Sequence, residues 1–103
     1  MAWHTVARTS DLKDGHGMAV HAPGRRKAIG LFRWSGEFFA VSDECTHEYG
    51  SLSEGFVENY VVRCPSHGAQ FDIRTGKGVG ELPYPDLAAF PVRIVGDDVQ
   101  VEI

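Results

Sequence analysis

Cys45-Thr46-His47 and Cys64-Pro65-Ser66-His67-Gly68-Ala69-Gln70-Phe71-Asp72 are the stretches on which the reading of this chain turns. The first is a C-x-H element and the second a C-x2-H element, with sixteen residues between them. Each offers one soft thiolate and one imidazole from a loop-like segment. Two such loops meeting at their tips would present a Cys2His2 set to a metal centre. Cys45 and Cys64 are the only two cysteines, and a lone pair in a chain with no visible export signal is weak support for a disulfide.

Outward from these elements, residues 43–85 are rich in Gly, Glu, Ser and Pro, and Tyr60-Val61-Val62-Arg63 is the one clear strand. The segment reads as a pair of long loops, and loops of that length in a small domain usually carry function. On both sides strand signals dominate and no helical period is sustained. Residues 4–7 and 18–21 read as short strands around a turn region at 11–17, where 11–13 suit one helical turn. Residues 26–34 run through Ser35-Gly36 into 37–42, a hairpin pattern. Residues 90–95 and 99–103 flank Gly96-Asp97-Asp98 as another. The expectation is an all-β single domain over 1–103, built of antiparallel sheets. Its barrel- or sandwich-like base takes about 1–42 and 86–103, and a two-loop subdomain is inserted at about 43–85. Trp3, Phe32, Trp34, Phe38, Phe39 and Phe90 are expected in its core.

The chain has 103 residues, 43% of them hydrophobic, a net charge of −4 and a pI near 5.6. That is one small globular domain whose charge disfavours nucleic acid and anionic membranes as partners. No apolar run approaches a bilayer span, and Met1-Ala2-Trp3-His4-Thr5 has neither a basic leader nor an apolar stretch, so a cytoplasmic protein is expected. Between Trp34 and Val62 lie Glu37, Asp43, Glu44, Glu48, Glu54 and Glu58 with no Lys or Arg, while Arg25-Arg26-Lys27 gather elsewhere. The acidic set reads as an electronegative rim suited to docking on basic partners.

Two metal readings fit Cys2His2. Zinc sites pair cysteine with cysteine and histidine with histidine at short spacing, unlike the arrangement here. A [2Fe–2S] centre with two thiolates on one iron and two imidazoles on the other suits a cysteine and a histidine in each loop. The C-x-H, spacer, C-x2-H pattern, the run from Cys64 to Asp72, Thr75-Gly76 and the Pro83-Tyr84-Pro85 turn together resemble Rieske proteins. The resemblance implies the Rieske fold, one [2Fe–2S] cluster held by Cys45, His47, Cys64 and His67, and a proline-containing loop covering it. It also implies that Gly68 lets the backbone approach the cluster and donate N–H groups to sulfur. His4, His16 and His21 fall outside the motif and are expected to have no metal duty.

The subtype follows from what is absent. Gly50 and Ser66 stand where membrane-anchored respiratory Rieske proteins have a second pair of cysteines. Ala69 and Phe71 stand where those proteins have hydroxyls that bond to sulfur. Fewer bonds to sulfur imply a potential at the low end of the Rieske range. Such chains resemble ferredoxin components of bacterial multicomponent oxygenases, which are not themselves enzymes. They carry single electrons from a flavin NAD(P)H reductase to a terminal oxygenase, usually an aromatic-ring dioxygenase. Tyr49 and Tyr84 are candidate docking aromatics for these partners. The alternatives are the small Rieske subunit of a cytoplasmic nitrite reductase, the ferredoxin of a di-iron monooxygenase, and a zinc-stabilised interaction domain.

Overall fold

The computed structural model describes residues 2–24, 27–43, 52–64, 68–80 and 86–103. Among these, every regular element other than two single 3₁₀ turns is a strand. In chain order the strands are β1 (Trp3–Arg8), β2 (Gly17–Val20), β3 (Ile29–Trp34), β4 (Glu37–Ser42), β5 (Val57–Glu58), β6 (Val61–Arg63), β7 (Gln70–Asp72), β8 (Gly78–Val79), β9 (Ala89–Phe90), β10 (Val92–Val95) and β11 (Asp98–Glu102). They form three antiparallel sheets, ordered β1-β11-β10, β2-β3-β4-β9 and β5-β6-β7-β8. The sheets stay open, so the base is sandwich-like and not a closed barrel. No helix among the described residues is long and apolar enough to cross a membrane.

The β3–β4 hairpin organises the rest. Ser35 and Gly36 both take positive φ (54° and 80°), the conformation that lets a two-residue turn follow the twist of its strands. The Asp14 carboxylate accepts both turn N–H groups, from Ser35 at 3.0 Å and Gly36 at 2.8 Å. Strand periodicity then sends alternate side chains to opposite faces. Ile29, Leu31 and Ala40 join one apolar cluster with Val99 and Val101 of β11. Phe32 and Val41 join a second with Leu52, Val62, Phe71 and Ile73. The hairpin is the wall between two cores.

Several boundaries differ from expectation for local reasons. β3 begins at Ile29, and residue 26, where the expected strand starts, lies outside the described residues. Residues 90–95 are not one strand. Pro91 has no N–H to give a ladder, and the chain changes sheet there. Phe90 pairs with Ala40 of β4, whereas Val92 pairs with Val101 of β11. The helical turn near residue 11 is a 3₁₀ turn at Thr9–Asp11. Of the expected core aromatics only Phe32 is fully buried. Phe38 and Phe90 pack on the first cluster and Trp34 and Phe39 on the second, while Trp3 lies under the Arg93 guanidinium at 4.4 Å.

The largest difference lies in the 43–85 segment, which is not a pair of loops with one strand. It contains the whole third sheet, β5 to β8. Strands of two or three residues are too short to show a period. Tyr60 is not a strand residue. Asn59 and Tyr60 have φ of 52° and 66° and turn β5 back into β6.

Two carboxylates tie the fold to pH. Asp14 is held below its ordinary value of 3.8 first by the Gly36 N–H, and Asp72 first by its hydrogen bond from the Arg74 guanidinium. A lowered folded pKa means that the contribution is present above about 3.8 and is lost as pH falls through the lower folded value. The stability gap between wild type and Asp14→Ala is therefore expected to be constant from pH 7 to 5 and to close below pH 4. Urea midpoints measured across that range check it.

Candidate metal centre

β6 ends at Arg63, and Cys64 follows it directly. The Cys64 N–H donates to the Ala69 carbonyl at 2.7 Å, and the Gly68 N–H donates to the Cys64 carbonyl at 2.9 Å. Two backbone hydrogen bonds thus draw Cys64 against Gly68 and Ala69, forming a closed neck on either side of residues 65–67. Gly68 sits at φ 72°, a left-handed conformation that costs glycine little and other residues about 1–2 kcal/mol. Its N–H donates to the Cys64 carbonyl.

A second neck closes residues 44–51. The Asp43 carbonyl accepts the Leu52 N–H at 3.3 Å, and its carboxylate accepts the Ser53 N–H at 2.7 Å and the Ser53 hydroxyl at 2.9 Å. Asp43 is only 4% exposed, so it does not belong to an acidic rim. A buried carboxylate must be given donors, and Ser53 supplies two. The third neck bounds residues 81–85. Gly76 accepts the Leu87 N–H at 2.7 Å, and the Asp86 carboxylate accepts the Gly78 N–H at 3.0 Å.

The three necks share one floor. Leu52, Cys64, Ala69, Phe71, Ile73 and Leu87 belong to the same buried apolar cluster. Cys64 is 1% exposed at its edge. A cysteine at the end of a strand, its own backbone groups satisfied and its loop held shut, fits a soft-metal ligand whose orientation is set before metal binds. Ala69 and Phe71 are packed into the floor and carry no hydroxyl.

Cys45, His47 and His67 lie outside the described residues, as do Glu44, Glu48, Tyr49, Gly50, Ser66 and Tyr84. His16 and His21 are exposed and His4 is half-buried in β1. Among the described residues, no three His, Cys, Asp or Glu side chains gather where they could hold a metal ion.

Of the acidic set, Glu37, Glu54 and Glu58 are exposed. Glu54 and Glu58 line a groove with Trp34, Phe56 and Arg63 that runs up to Cys64 and Gly68. Sequence reading passed over Phe56, which is 71% exposed with the His16 ring edge-on at 5.4 Å, and over Arg63. The available signal was Gly55. A Cβ there would collide with the Arg63 carbonyl, so the 54–56 segment must cross β6 closely.

A profile of the Rieske [2Fe-2S] domain matches residues 2–91. The biphenyl dioxygenase ferredoxin subunit of Pseudomonas sp. (strain KKS102) is 40% identical over 87 residues, covering 84% of this chain and 80% of that protein. The Sphingomonas yanoikuyae B1 ferredoxin superposes with a TM-score of 0.89 at 26% identity, over 99% of both chains. A ferredoxin in complex with the oxygenase of carbazole 1,9a-dioxygenase gives a TM-score of 0.86 at 32% identity, over 96% of this chain and 91% of that one. The closed neck at Cys64 thus stands in a chain that belongs to the Rieske [2Fe–2S] family, a ferredoxin that carries one such cluster for electron transfer and is not itself a catalyst.

Proposed function

We propose that Cys45, His47, Cys64 and His67 hold the cluster within residues 43–85, supported by a base of residues 1–42 and 86–103. We further propose that the chain carries single electrons from a flavin-dependent NAD(P)H reductase to the terminal oxygenase of an aromatic-ring dioxygenase system. The observation that carries this reading is the Cys64 neck, two hydrogen bonds wide and standing on the same floor as the neck of residues 44–51. When bound, a [2Fe–2S] group with histidine on one iron takes up and returns one electron. The protein's part is to fix the loops, exclude water from beneath Cys64 and present a surface to two partners in turn. The names of its relatives as dioxygenase ferredoxin subunits support the oxygenase as acceptor. Its place of action on this reading is the cytoplasm, where reduced nicotinamide is supplied.

Transient redox encounters are small and steered by charge. Glu54 and Glu58, exposed beside Cys64, are placed to do the steering. In a mixture of reductase, this chain and a terminal oxygenase, product formation is expected to depend on the chain. Electron transfer should slow as ionic strength rises towards 1 M, where the Debye length is about 3 Å. The double variant Glu54→Lys/Glu58→Lys should be about tenfold slower at low salt with unchanged cluster spectra. No electron delivery by the wild-type chain would overturn the carrier reading, and a rate indifferent to salt would remove the carboxylates from docking.

A further inference from the structure

Arg63 is the last residue of β6 and immediately precedes Cys64. Its side chain is exposed and bends across the neck of the 64–69 loop. Nε and Nη2 lie 3.4 Å, and Cζ 3.8 Å, from the point where a Cβ on Gly68 would stand. The guanidinium therefore lies in van der Waals reach of the side-chain position of the residue that follows His67. Other arginines are engaged elsewhere. Arg33 donates to the Leu12 carbonyl and covers Phe38, Arg74 pairs with Asp72, and Arg93 bonds Gln100 and covers Trp3. Among the described residues, no hydrogen bond or ion pair takes up the charge of Arg63.

We propose that Arg63 is a redox-positioning residue, whose cation, laid over Gly68, raises the electron affinity of the centre held by the Cys64 loop. This rests on the reading of Cys64 and His67 as ligands. Reduction adds one negative charge at the centre, and a fixed cation at the loop neck stabilises that state more than the oxidised one. In a chain of net charge −4 with Glu54 and Glu58 on the same groove, Arg63 is a local counterweight. It keeps the carrier from becoming too reluctant an acceptor for its reductase.

Dye-mediated redox titration of the holoprotein tests this without any partner protein. Arg63→Gln is expected to disfavour the reduced form by about three- to tenfold, tenfold being 59 mV for one electron. Arg63→Glu should give about the square of that factor, and Arg63→Lys should stay within about twofold of wild type. The gap between wild type and Arg63→Gln should shrink in 1 M salt. Equal potentials for wild type, Gln and Glu variants with intact Rieske EPR signals would overturn the proposal, as would a Lys variant that shifts as far as Gln. A wild-type protein with no Rieske signal would overturn the ligand reading and this proposal with it. A normal signal with unmoved potentials would overturn this proposal alone.

Discussion

Alanine at Cys45, His47, Cys64 or His67 is expected to abolish the native cluster. On the proposed assignment each loop supplies one thiolate and one imidazole, so any single loss would leave an iron with an incomplete set. For Cys64 the structure sharpens the expectation. Its side chain is buried and its backbone is bonded on both sides, so Cys64→Ala removes the sulfur while leaving the neck shut. The described fold should therefore survive in Cys64→Ala, with iron content near zero and no Rieske EPR signal after reduction. Stability should still fall, because a group that binds only the folded chain adds its binding free energy to folding. Iron analysis, EPR and urea unfolding of the four variants measure this. A variant that keeps a full native signal does not lack a ligand, and the assignment at that position would fail.

What the sequence showed of this fold was its strongly patterned parts. The β3–β4 hairpin was legible because six residues on each side alternate between two cores and Ser35-Gly36 suits the turn. The ligand pattern was legible because cysteine and histidine are scarce and their spacing is specific. The third sheet was not, because β5 and β8 have two residues each and are held by pairing with Val62 of β6 and Phe71 of β7. No local period can report that. Asp43 looked like one acid among six, since nothing in the chain announces that Ser53, ten residues on, donates to it twice. Arg63 escaped notice for the same reason. Its meaning lies in Gly68, across a loop, and charge patterning along the chain assigns it only to an ordinary strand end.

Gly76→Ala is expected to be the most damaging single substitution of a glycine that touches no metal ligand. Gly76 has φ 79°, and its N–H donates to the Asp72 carbonyl at 2.7 Å while its carbonyl accepts the Leu87 N–H at 2.7 Å. A Cβ there would collide with the Leu87 carbonyl, which is backbone and cannot rotate away. The left-handed conformation alone costs alanine about 1–2 kcal/mol, and forced overpacking adds about 1–3 kcal/mol. The sum, about 2–5 kcal/mol, is a large share of what a small domain possesses. In a domain of this size it corresponds to a fall in Tm of roughly 10–30 °C. Gly36→Ala separates the two contributions, because Gly36 has φ 80° and no atom within 4 Å of its added Cβ. Its substitution should cost only the conformational part. Because Gly76 and Leu87 close the neck of residues 81–85, the Gly76 variant should also lose its cluster colour faster in chelator, whereas the Gly36 variant should not. Equal melting temperatures for the two variants would mean that the 76–87 contact yields without cost, and the third neck would not be a fixed part of the site.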